Sequence, residues 1–226
     1  MSYRMKSRQA GFTLVEIAIV LVIIGLLLGG VLKGQELIEN SRIKSVVNDM
    51  KAIQAAYNGY VDRYKAIPGD ETALVMGATG RGWTGTAAPA IAGNGVLAIT
   101  PAQTFTNGGD QAAFWRALRG SGLISGDPNA PATVAGLPTH GGGGVLGVTA
   151  GPVYGSTGPL ICAAGLTTKQ AAGVDGLIDG AGAANNTGTL LGAQGALNPL
   201  VPVAAAPAVT AYNETTANRW TVCMRL

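Results

Sequence analysis

Few side chains in this sequence stand where they could do chemistry. Glu16 is the only ionisable group between Phe12 and Leu32, a run otherwise almost wholly apolar. A lone carboxylate near one end of such a run is expensive in lipid, so it reads as functional and in need of a partner. Cys162 and Cys223 are the only cysteines, and their spacing fits neither a redox CxxC nor a zinc site. In an oxidising compartment they would form a disulfide, and otherwise two buried thiols. Asp175 and Asp179 each precede a glycine. They could offer oxygens to a hard cation such as calcium, but two carboxylates are too few and the spacing is not that of an EF-hand loop. Turn and cap roles account better for Asp-Gly pairs. His140, the single histidine, sits beside Gly141–Gly144 and reads as a solvated loop residue. It cannot build a His-rich metal site or a nucleophile–base set. With no paired carboxylates in a credible cleft and no phosphate-binding glycine pattern after a strand, we expect no enzyme and no cofactor.

The elements that position these groups follow from hydrophobic patterning. From Phe12 to Leu32 the apolar run would span ~30 Å as a helix, the thickness of a bilayer core. No proline interrupts residues 12–67, which predicts one helix over residues 12–65, about 80 Å long. Pro68-Gly69-Asp70 ends it. Its second half is amphipathic, with Leu37, Ile38, Ile43, Val46, Val47, Met50, Ile53, Tyr57, Tyr60, Val61 and Tyr64 recurring at three- and four-residue steps. Gly25/Gly29 and Gly30/Gly34 have the spacing that lets helices approach closely in lipid, and the same glycines weaken the helix.

Residues 1–11 carry Arg4, Lys6 and Arg8 and no acid. The remaining 12 of the 15 Lys and Arg equal the 12 Asp and Glu, so the basic character belongs to this leader. That fits retention of the N-terminal end in the cytoplasm and gives no reason to infer specific nucleic-acid binding.

Gly11-Phe12-Thr13-Leu14-Val15-Glu16, after a short basic leader and before an apolar stem, resembles the class III signal of type IV prepilins, the family of type IV pilins and type II secretion pseudopilins. An ordinary signal anchor is the bland alternative. In a cleaved secretory signal the small-residue site follows the apolar region, whereas Gly11 precedes it. The resemblance implies cleavage between Gly11 and Phe12 by a prepilin peptidase, N-methylation of Phe12, and polymerisation through the stem. It also implies that Glu16 pairs with the Phe12 amine of a neighbouring subunit during assembly. The physical case agrees, because that amine is the nearest positive group a stem bundle offers. A pair within one chain, at i and i+4, is the other option.

The expected organisation is therefore a leader (1–11), an N-terminal helix (12–65, with 12–32 the transmembrane stem) and a globular head (66–226). The fold class is α+β: a long helix packed on a small, loop-rich antiparallel β head. In the head we expect a strand at Val96–Thr100, a helix over Asp110–Gly120 with Phe114, Trp115 and Leu118 in the core, and a glycine C-cap. Strands are expected at Val145–Val148, Val153-Tyr154, Pro159–Cys162 and Arg219–Met224, with a helix over Lys169–Ile178 capped by Thr167-Thr168. Asn185 and Asn213 begin Asn-x-Thr patterns, weak evidence of glycosylation in so Asn- and Thr-rich a chain.

The favoured function is a structural subunit of a type IV pilus, serving adhesion or motility. Its precursor would cross the bacterial inner membrane once with the head in the periplasm, then enter an extracellular fibre. Partners would be further copies of itself, the prepilin peptidase, the membrane and the pilus assembly machinery. The alternative is a type II secretion pseudopilin, or a minor pilin, confined to the envelope. The size of the head and a C-terminal disulfide loop favour the pilus.

Overall fold

The computed structural model describes residues 11–72, 93–106, 110–130, 134–180, 187–206, 212 and 218–226. Residues 1–10 of the leader, most of the expected loop region before Val96, and the acceptors Asn185 and Asn213 lie outside them. The first element, α1, is one α-helix over Leu14–Tyr64, uninterrupted through Gly25, Gly29, Gly30 and Gly34. The chain divides into two compact units, residues 1–40 and 41–226.

In the second unit the C-terminal part of α1 lays one face into the core: Ile43, Val46, Val47, Met50, Ile53, Ala56 and Tyr60 are buried. The three- and four-residue steps place them on a single stripe. Leu37 and Ile38, which share the periodicity, are exposed instead, so the packing face begins at Ile43. After Tyr64, Lys65 takes a positive φ of 53° and the chain turns through Pro68 and Gly69. Gly69 has a φ of 94°, and a Cβ there would lie 2.8 Å from the Asp110 carbonyl oxygen. Only glycine permits both that conformation and that approach. The acids just beyond are spent on the fold: Asp70 accepts from the Gly95 amide at 2.6 Å, and Glu71 from the Tyr60 hydroxyl at 2.7 Å.

Helix α2 spans Asp110–Gly120 and buries Phe114, Trp115 and Leu118, the first two in edge-to-face contact at 5.1 Å. It closes on a left-handed Gly122, with the Leu123 and Ile124 amides both donating to the Leu118 carbonyl. The helix thus ends at Gly120 as expected, the left-handed glycine is Gly122, and Leu123 and Ile124 pack against the core as its anchor.

Four strands form one antiparallel sheet in the order β1-β2-β4-β3: β1 Leu146–Thr149, β2 Leu160–Leu166, β3 Leu190–Gly195 and β4 Arg219–Arg225. Helix α3, Thr168–Ile178, follows β2; Thr167 caps it, accepting from the Gln170 amide while Gln170 returns to the Thr167 amide. The layout is α+β and pilin-like, a long helix packed on a small antiparallel sheet.

Two strand expectations need correction, and strand β3 is an addition to them. Val96–Thr100 is not a strand: its backbone is held by the Asp110 carboxylate, which accepts from the Ala98 amide, and by the Ala150 and Gly151 amides, which donate to Ile99. Val153-Tyr154 is a tight turn closed by Val153 and Ser156. Strand β3 escapes the pattern because Leu-Leu-Gly-Ala-Gln-Gly neither alternates nor carries β-branched residues, and as an edge strand it needs only one partner.

His140 is not solvated. It is 4% exposed, at the base of a glycine hairpin tip bridged by Thr139 and Val145. Its Nε2 lies 2.9 Å from the Ala164 carbonyl oxygen and its Nδ1 accepts from the Gly142 amide, which assigns the neutral Nε2–H tautomer. The tip is tied to α1 by the Gly141 amide, which donates to Asp49. Burial pushes the His140 pKa below the ordinary 6.5 and outweighs the Ala164 carbonyl and the Asp49 charge, which favour protonation. A proton at Nδ1 would meet the Gly142 N–H. Since the folded pKa is depressed, this group's contribution is complete above pH 6.5 and is lost as pH falls through the folded value. Thermal melts should therefore lose stability from pH 7 to pH 5, and His140→Gln should flatten that stretch of the curve. An unchanged slope in the variant would refute the assignment.

Candidate assembly site at the start of the stem

The first unit presents its apolar surface to its surroundings. Phe12 is 83% exposed and Leu14 91%, and Ile17, Val20, Ile24, Leu27 and Leu32 are exposed too. Every stem glycine is open, with nothing within 4 Å of an added Cβ at Gly25, Gly29, Gly30 or Gly34. The chain's own fold thus places no demand for smallness at these positions. Helix α1 is long and apolar enough to cross a membrane, by length and composition.

At its start, Thr13 and Glu16 form a reciprocal cap. The Thr13 amide and hydroxyl each donate to Glu16 Oε2 at 2.8 Å, and the Glu16 amide donates to Thr13 Oγ1 at 3.2 Å. Two amides that helix geometry leaves without partners are satisfied in this way. Thr13-x-x-Glu16 is a capping-box pattern, visible in the sequence but hidden behind the larger motif that contains it. Gly11 and Phe12 precede the helix in non-helical backbone, joined by an ordinary peptide bond. Phe12 therefore has no free amine in the unprocessed chain, and Glu16 turns to Thr13. The carboxylate is exposed, hydrogen-bonded at one oxygen among the described residues, and close to the residue whose amine cleavage would release.

The other candidate residues lie in the second unit. Cys162 on β2 and Cys223 on β4 are direct register partners, wholly buried, and joined as a disulfide across 61 residues of sequence. Asp175 and Asp179 lie one turn apart at the end of α3; both oxygens of Asp179 and the Oδ2 of Asp175 accept from the chain itself. Asp179 accepts from the Thr189 amide at 2.9 Å and the Leu190 amide at 2.7 Å, binding α3 to the start of β3. Asp175, 1% exposed, accepts from the Tyr212 hydroxyl at 2.9 Å. Burial pushes the Asp175 carboxyl up, with Tyr212 opposing and the neighbouring Asp179 adding to the rise. For Asp179 burial works upward as well, but the hydrogen bonds from Thr189 and Leu190 outweigh it and hold the carboxyl low. The pair thus combines one reluctant acid with one stable carboxylate, an arrangement suited to tying elements together rather than to gripping a hard cation. Among the described residues, no group of three or more His, Cys, Asp or Glu side chains could hold a metal ion.

Residues 6–32 match the family described as the prokaryotic N-terminal methylation motif. That span contains Gly11, Phe12, Thr13 and Glu16 and ends with the apolar run at Leu32, so the stem carries a class III signal of the type IV pilin and pseudopilin kind. Such a signal implies processing by a prepilin peptidase and assembly into a pilus-type filament, and the long apolar helix fits a membrane-anchored precursor. Proteins with this motif are structural rather than enzymatic. None of the curated proteins matches the chain.

Proposed function

We propose, from the class III signal over residues 6–32, that this chain is a structural subunit of a type IV pilus. Residues 1–11 act as a leader removed after Gly11. Phe12 becomes the N-methylated N-terminus, residues 12–32 form the filament core, and residues 66–226 form the head on the fibre surface. One observation carries the reading: an exposed, membrane-length apolar helix that begins with a capped but unneutralised carboxylate. Alone in water such a surface is a liability. In a bundle of like stems it becomes the core, with the open glycines allowing close approach.

In the bundle the released Phe12 amine gives Glu16 a counter-charge that Thr13 cannot supply. The partners are other copies of the chain, the prepilin peptidase and an inner-membrane assembly machine, with the head in the periplasm before incorporation. Mechanical shearing of cells tests the destination. Recovery of the chain in sheared surface fibres supports a pilus, whereas processed chain found only in the envelope assigns it to a pseudopilus.

A further inference from the structure

The second unit holds a groove of about 630 Å³ between α1, the turn at residues 153–156, and the ends of α3, β3 and β4. That is the size of a small-molecule site. Ile178, Leu191 and Met224 give it an apolar lining. Lys51 and Arg225 bring two cations, and among the described residues neither has an acidic side-chain partner. Their backbones are held close: Gln54, one turn after Lys51 on α1, donates to the Arg225 carbonyl at 2.9 Å. Arg225 spends its Nε on the Ser156 hydroxyl at 3.0 Å, which orients the guanidinium and leaves the two terminal nitrogens for a bidentate acceptor. The Ser156 hydroxyl keeps its own proton to donate. Thr189, whose hydroxyl donates to Asp179 and so can only accept from a ligand, and the Gln54 carbonyl add neutral polar groups. Tyr154 also lines the groove; it is 2% exposed, and its hydroxyl has no partner among the described residues. A buried hydroxyl left so is satisfied when a ligand oxygen or bridging water reaches it.

The geometry points to a binding site for a carboxylate-bearing saccharide. The guanidinium fork and Lys51 meet the carboxylate, the hydroxyls and amide meet ring hydroxyls, and the apolar residues meet the C–H face of the sugar. A nucleic acid fits poorly, since two cations do not track a phosphate backbone and the aromatic residue of the lining, Tyr154, is too buried at 2% exposure to offer its face to a base. This site is independent of the stem and of any filament.

The test is calorimetric titration of the full-length chain, in neutral detergent micelles, with trigalacturonic acid, maltotriose and an oligothymidylate of equal charge. Trigalacturonic acid should bind, and maltotriose about tenfold or more weaker. Lys51→Ala and Arg225→Ala should each weaken acid-sugar binding by about tenfold, while Lys44→Ala, which removes the same charge outside the groove, should leave it unchanged. Gln54→Glu, which sets a carboxylate between the two cations, should abolish it, and serves if either truncation melts early. No binding, equal binding of maltotriose, tighter binding of the oligothymidylate, or equal loss with Lys44→Ala would overturn the assignment.

Discussion

Glu16→Ala should leave the leader cleaved and cripple filament assembly. In the separate chain the substitution removes a capping box, a loss of about 1 kcal/mol, small against the packing that holds the rest of α1. In an assembled stem core the loss is larger, because the Phe12 amine of the processed chain is left in an apolar bundle without its counter-charge. Breaking a buried ion pair from one side costs about 3–5 kcal/mol, a factor of more than 100 at every subunit contact. Glu16→Gln separates the two effects. The amide oxygen still accepts from Thr13, so the cap survives, but the charge is gone. Both variants should therefore yield less than about a tenth of the normal sheared fibre while retaining processed protein in the membrane. Full assembly by Glu16→Gln would show that the cap, rather than the charge, is what Glu16 supplies.

Removing the disulfide has the largest effect on the head. Cys162 and Cys223 join β2 to β4, the two inner strands of the sheet, and close a loop of 61 residues. In the chain-entropy account the unfolded state gains about 4 kcal/mol of freedom when that loop opens. The double substitution Cys162→Ala, Cys223→Ala should thus lower the thermal midpoint by roughly 8–16 °C, read by circular dichroism. Both sulfurs are wholly buried at a register position, so a reductant should cut the bond only as the sheet opens. Reduction of the wild-type chain should be slow at room temperature and accelerate near the midpoint. An unchanged midpoint in the double variant would mean that the sheet and α1 hold the head without the bridge.

How far the fold is legible depends on the physics of each element. The stem is plain because membrane length, missing proline and a single carboxylate coincide in one segment. Strand β4 and helix α3 are legible for local reasons: Arg219–Met224 alternates, and Thr167 with Gln170 caps the first turn of α3. Strand β3 and the true position of His140 are not, since both depend on distant partners. Leu190–Gly195 is a strand because β4 is there to pair with it. His140 is buried because the glycine tip folds down over it and Asp49, 91 residues earlier, accepts from the next amide. The periodicity of α1 shows which face is apolar but not where packing begins. Leu37 and Ile38 belong to the stripe and stay exposed, while Ile43 does not.

The stem site is legible as a motif, though only the structure displays its resting chemistry. Thr13 donates twice to one oxygen of Glu16, which gives the carboxylate a hydrogen-bonded place at the edge of an apolar helix. The groove at Lys51 and Arg225 lies beyond reading from the sequence, for its residues come from five separate stretches of the chain.

Processing of the stem is tested most directly by the mass of the N-terminal peptide of the chain recovered from cells. The expected peptide begins at Phe12 and carries one added methyl group on its amine, with residues 1–11 absent. A peptide that still contains Gly11 joined to Phe12, in membranes and surface material alike, would contradict the assignment of this chain as a processed filament subunit.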